Sequence, residues 1–152
     1  MTVLAMVAIG LQLLSGVAPA PNGAQKCAVT VESPVIGDSR LSVVGGWPNG
    51  EVVFRPGGPG FITNDGALGM KFPWQRGVRG RLTIEGRRLD GDAPPLRSEV
   101  NNGYGDIGFQ ATYVIFPTPG CWEVTGRVAD ASVTFITRVV KIGEGPSWHR
   151  GR

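Results

Sequence analysis

Gly108-Phe109-Gln110-Ala111-Thr112-Tyr113-Val114-Ile115-Phe116, Cys121-Trp122-Glu123-Val124-Thr125-Gly126-Arg127-Val128 and the run from Ser132 to Ile142 decide the fold. All three are rich in β-branched and aromatic residues and are bounded by turn-forming residues, so they read as consecutive strands. In the middle run Trp122 and Val124 share one face, while Cys121, Glu123, Thr125 and Arg127 share the other. Trp122 is therefore a core residue. In the last run Val133, Phe135 and Val139 alternate with Thr134, Ile136, Arg138 and Val140. Neither face is cleanly polar, so both are expected to be partly covered. Asp130-Ala131 between the second and third runs predicts a short hairpin.

The same two-residue period extends upstream. From Arg79 to Arg87, Leu82 and Ile84 point one way while Arg81, Thr83, Glu85 and Arg87 point the other, giving one buried and one wet face. Arg40–Val44 and Glu51–Phe54 read as short strands around the turn Gly45-Gly46-Trp47-Pro48-Asn49-Gly50. Pro56 to Gly60, Asn64-Asp65-Gly66, Gly91 to Pro95 and Asn101-Asn102-Gly103 break the chain further. With 24 Gly and 12 Pro in 152 residues, long helices are excluded. The expected fold is all-β, an immunoglobulin-like antiparallel β-sandwich of seven to nine strands. It occupies residues 27–143, with Cys27-Ala28-Val29-Thr30-Val31 as its first strand and a flexible tail at 144–152.

Met1 to Gln25 carries no charged side chain, and Val3 to Ile9 with Leu11, Leu13 and Leu14 is strongly apolar. Ala18-Pro19-Ala20 supplies a small-residue cleavage pattern, so residues 1–24 read as a signal peptide. Left uncleaved, the segment approaches the length of a membrane anchor, the one membrane contact the chain would make. The residues before Cys27 lack the pattern of a lipid-modified cysteine. An exported chain meets an oxidising compartment, in which Cys27 and Cys121 can pair; two buried free thiols are the alternative.

Lys71-Phe72-Pro73-Trp74, Leu82 to Asp90, Gly103-Tyr104-Gly105-Asp106-Ile107-Gly108-Phe109 and Pro119-Gly120-Cys121-Trp122-Glu123-Val124-Thr125-Gly126-Arg127 together resemble a group of secreted bacterial Ig-like β-sandwich proteins. The likeness spans roughly Val52 to Ile142, and its most specific element is the run 120–127. It implies fold and export. It carries no activity, because a shared sandwich does not transmit function.

Several constellations bear on function. Arg79, Arg81 and Arg87 are expected on one strand face, near Arg76 and Arg88, as a stripe able to bind an anionic polymer through bidentate contacts. Trp47 and Trp74 are candidate platforms for a sugar ring. The plainer reading of the stripe is a solvated face, since Glu85 lies within it. Asp90-Gly91-Asp92 has a spacing usable for calcium, although Asp-Gly pairs ordinarily make turns. Asp106 reads as a brace for its loop. Gly57-Gly58-Pro59-Gly60 lacks the Lys-Ser/Thr and the helix of a phosphate loop.

No paired acids, no nucleophile with its base and no metal cluster are recognisable, and the single histidine, His149, lies in the polar tail. The net charge of +3 is too dilute to call for nucleic acid. The sequence thus predicts a non-catalytic extracytoplasmic module that needs no cofactor and binds or supports at the cell envelope. The partners it points to are another envelope protein or an anionic or glycan surface. The alternative is an inhibitor or accessory subunit of another exported protein, with a hydrolase behind both.

Overall fold

The computed structural model describes residues 26–30, 34–45 and 47–144. The signal or anchor segment 1–24, Val31 and the tail from residue 145 onward, His149 included, lie outside them. The described chain is an all-β sandwich of two sheets, as the alternating pattern predicts. Ten strands form it: β1 (Val35–Gly37), β2 (Leu41–Val44), β3 (Glu51–Phe54), β4 (Phe61–Ile62), β5 (Leu68–Arg76), β6 (Thr83–Arg88), β7 (Arg97–Val100), β8 (Gly108–Phe116), β9 (Gly120–Val128) and β10 (Ala131–Lys141). The count exceeds the expected seven to nine because β1, β4 and β7 are only two to four residues long.

One sheet runs β1-β2-β5-β8-β7, with β4 also paired to β5; the other runs β3-β10-β9-β6. The turn around Trp47 therefore does not close a hairpin. It carries the chain from β2 in one sheet to β3 in the other, where β3 pairs parallel with β10. Val128 pairs with Ala131, so the hairpin between β9 and β10 turns at Ala129-Asp130, one residue before the expected place.

The core lies between the inward rows. On β5 and β8 the register pairs Leu68 with Phe116, Met70 with Val114, Phe72 with Thr112 and Trp74 with Gln110, all buried. Facing them are Trp122, Val124 and Val128 of β9 and Val133, Phe135, Thr137 and Val139 of β10. Phe72 lies 6.0 Å and Trp74 6.5 Å from Phe135, centroid to centroid, and Phe116 meets Trp122 edge-on at 5.6 Å. At Gly126 the two sheets approach closely: a Cβ placed there would lie 2.4 Å from the Trp74 indole. Overpacked cores lose about 1–3 kcal/mol.

Cys27 and Cys121 form a disulfide, with Cα atoms 5.5 Å apart and 94 residues between them in sequence. Cys121 pairs with Arg138 across β9 and β10 and faces away from Trp122, so the bridge sits on the outer side of its sheet rather than in the core. It draws residues 26–30 over that side. Thr30 donates its N–H to the Ile136 carbonyl, and its hydroxyl accepts the Ile136 N–H. This is the cover expected for the mixed outer face of β10, although residues 26–30 themselves form no strand.

Two measurements check this packing. Gly126→Ala should lower unfolding stability by about 1–3 kcal/mol, read from the urea midpoint. Reducing the disulfide should cost about 4–5 kcal/mol, the chain-entropy scale for a loop of this length, read as the shift in midpoint with and without reductant.

Candidate functional site at the Arg76 end of the sandwich

The inward row of β5 reads Met70, Phe72, Trp74, Arg76, and that of β8 reads, from the opposite direction, Phe116, Val114, Thr112, Gln110. Both rows change from apolar to polar at the same end. Arg76 is 4% exposed and Gln110 6%, so a guanidinium and an amide close the core there. The loop 101–107 between β7 and β8 folds over them, with Gly103 at φ +92° in the left-handed region.

Arg76 holds this end together. Its Nη1 donates to the carbonyls of Gly80 at 3.2 Å and Asp106 at 3.3 Å, and its Nη2 donates to the Gly105 carbonyl. Gln110 Nε2 donates to the Asn101 carbonyl at 3.0 Å. The two loops flanking the cleft, 77–82 and 101–107, thus hang on two buried polar side chains. Asp106 is the brace expected of it: its carbonyl accepts from Arg76 while its carboxylate accepts from Arg79 at 2.9 Å.

Between these loops opens a cleft of about 410 Å³, lined by Arg76, Arg81, Asn101, Asn102, Tyr104 and Gln110 among others. Beside it stand three large apolar side chains in solvent: Tyr104 at 38%, Ile107 at 51% and Phe109 at 52% exposure. Tyr104 and Phe109 meet edge-on at 5.9 Å. Three buried polar atoms at this end have no hydrogen-bond partner: Trp74 Nε1, Arg76 Nε and Gln110 Oε1. The register makes Trp74 and Gln110 cross-strand neighbours, with Arg76 one inward step along. Such atoms are ordinarily satisfied, because leaving one bare costs about 1–3 kcal/mol.

The residues expected to bind are distributed differently. Trp74 is fully buried against Phe135 and Gly126 and presents no face to a sugar. Trp47 is half-buried, stacked on Phe135 at 5.7 Å and against Phe72 at 4.6 Å, so its ring plugs the core. Trp74 faces inward on β5 and Trp47 packs from the crossover between β2 and β3, so each ring fills space between the sheets. The arginine stripe is corrected too. Arg79 and Arg81 precede β6, leaving Arg87 alone of the three on the strand. Arg87 pairs with Glu123 at 2.9 Å and Glu85 with Arg127 at 2.8 Å, a cross-strand ladder on the outer face of β6 and β9. Arg81 alone of the expected binding residues lines the cleft.

Asp90 is engaged by Arg88 at 2.8 Å beside Gly120, which fixes it as a structural turn residue. Among the described residues no three His, Cys, Asp or Glu side chains cluster as a metal site would require. The sequence reading missed the site itself, since Arg76 was grouped with surface arginines. The signal was its parity, two residues beyond Trp74 on the inward row. No protein-family model, no curated protein and no solved structure matches this chain.

Removing the Arg76 guanidinium strands three carbonyls, whereas the Arg79–Asp106 pair lies at the surface, 78% and 74% exposed. Arg76→Met should therefore destabilise by about 2–3 kcal/mol, and Arg79→Ala should stay within about 0.5 kcal/mol of the parent in the same denaturation assay.

Proposed function

We propose that this chain is a non-catalytic recognition module working outside the cytoplasm, which contacts a component of the cell envelope through loop 101–107 and the cleft beside it. The observation that carries the reading is the cluster of Tyr104, Ile107 and Phe109 exposed around a polar cleft. Half of the six large apolar side chains exposed among the described residues fall in this one segment, and clustered exposed aromatics beside a cleft mark binding surfaces.

The disulfide supports the location, since such bridges persist in oxidising compartments. So does its place in the fold. Cys121 opens β9, whereas the cleft lies by Leu82, next to Thr83, which pairs with Arg127 near the far end of that strand. A tether reaching the sandwich at Cys27 would thus hold the module by one end and present the cleft at the other. The apolar segment 1–24 points the same way.

The test is retention of the full chain on an envelope fraction from its own cells. Tyr104→Ala with Phe109→Ala should reduce retention about tenfold, the scale of losing an aromatic anchor, while Arg87→Gln on the outer ladder should leave it unchanged. Equal retention of all three proteins overturns the reading. So does turnover of any substrate in a hydrolase panel that survives repurification.

A further inference from the structure

We infer that the cleft at the Arg76 end is a carboxylate-binding site, whose ligand carries an O–H or N–H donor on the carbon next to the carboxylate. The inference deepens the proposed function and rests on it for the location of the site. Ten arginines lie among the described residues, and seven of them, Arg40, Arg79, Arg87, Arg88, Arg97, Arg127 and Arg138, sit within ion-pair distance of a carboxylate. Of the other three, Arg76 and Arg81 both line this one cleft.

Arg76 is the telling case. A charge buried to 4% is expected to meet an opposite charge, yet its hydrogen-bond acceptors are three neutral carbonyls. The Asp106 carboxylate, whose main-chain carbonyl meets Arg76, is turned to Arg79 instead. Five N–H donors belong to a guanidinium, and the Nε–H remains unused. Arg81 at the rim adds a second positive charge, with no acidic partner within ion-pair distance among the described residues. Two such cations on one cleft complement one anion, and the guanidinium fork suits a carboxylate.

The unpaired acceptor sharpens the class. Gln110 Oε1 requires a donor, which a bare anion lacks. A ligand that places an O–H or N–H beside its carboxylate would answer Arg76 and Gln110 together once the side chains covering these two buried atoms turn aside. Asn101 and Asn102 on the lining offer further amide contacts, and Tyr104 an apolar wall. Acylated amino acids, as at a peptide C-terminus, and aldonic sugar acids, whose C2 hydroxyl adjoins the carboxylate, share this chemistry, and a cleft of about 410 Å³ admits a group of either size.

The experiment is a nitrogen–proton NMR titration of the full chain with N-acetylalanine against N-acetylalaninamide, and with gluconate against gluconamide. At least one acid should bind about tenfold more tightly than its neutral counterpart, the scale of a charge-assisted hydrogen bond, and should move the Arg76 Nε–H and Gln110 side-chain signals. N-acetylalanine alone assigns a peptide C-terminus, and gluconate alone an aldonic sugar acid. Arg81→Gln, at an exposed position, should weaken the acid about tenfold and leave the neutral compound unaffected. Equal binding of acid and neutral partners, no binding by either, or an unchanged acid affinity in Arg81→Gln overturns the inference. Envelope retention that depends on Tyr104 and Phe109 without any acid binding sinks the ligand class alone. Acid binding without such retention sinks the envelope reading alone.

Discussion

The two sheets meet at one contact that sets the rest: the indole of Trp74 on β5 lies directly over the backbone of Gly126 on β9. A ring this large fits between sheets about 10 Å apart only where the facing strand offers no side chain. Around it Phe72 and Phe135 lie near-parallel, 6.0 Å apart, and Trp47 closes the space from the crossover between β2 and β3. This packing also dictates the crossover. With Trp47 inserted into the core, the chain leaves one sheet and enters the other at Glu51, where Thr137 donates its hydroxyl to the Gly50 carbonyl at 2.8 Å.

Seating Trp74 also fixes the next inward position on its strand. Parity places Arg76 on the same face, two residues further, where the sandwich ends. A guanidinium in that position must find oxygen acceptors, and the nearest are the main-chain carbonyls of the two loops that leave β5 and enter β8. The loops flanking the candidate site are thus organised by an interior residue rather than by contacts of their own. Their shape depends on the core, which is how a rigid scaffold presents a binding surface.

Much of the fold was legible in the sequence because β9 and β6 alternate cleanly and β10 keeps the same two-residue period. Trp122, Val124, Leu82 and Ile84 took the faces that period two assigns them, and the mixed outer face of β10 found its cover in residues 26–30. Leu68–Arg76 was illegible as a strand because Gly69 and Pro73 interrupt it. Neither disrupts the sheet. Phe61 of β4 lies across Gly69, and Pro73 falls at a break in pairing along that edge, between the stretch paired to β4 and the stretch paired to β2. Missing this strand hid the parity of Arg76 and left Trp74 to be read as a surface ring. Arg81 was named for its charge, and the tertiary fold put it on the cleft for a different reason: it borders Leu82, whose burial anchors the start of β6.

Charge placement on the outer face of β6 and β9 differs from that at the Arg76 end. On the outer face of β6 and β9, acid and base alternate across strands, and each arginine has its glutamate. Asp65, held by Arg97 and by the Thr63 hydroxyl, has its carboxyl well below the usual carboxylate range, and it ties the turn before β5 to β7. Such matched surfaces leave no net demand on a partner. At the Arg76 end the pattern reverses: a buried cation satisfied only by neutral oxygens, an amide oxygen with no donor, and a solvent-facing aromatic pair occupy one segment. An apolar residue at this inward position would strand the carbonyls of Gly80, Gly105 and Asp106, so the buried guanidinium serves the loops it holds. The loops it organises and the donors it leaves unused make sense together when that end of the sandwich is completed by a ligand.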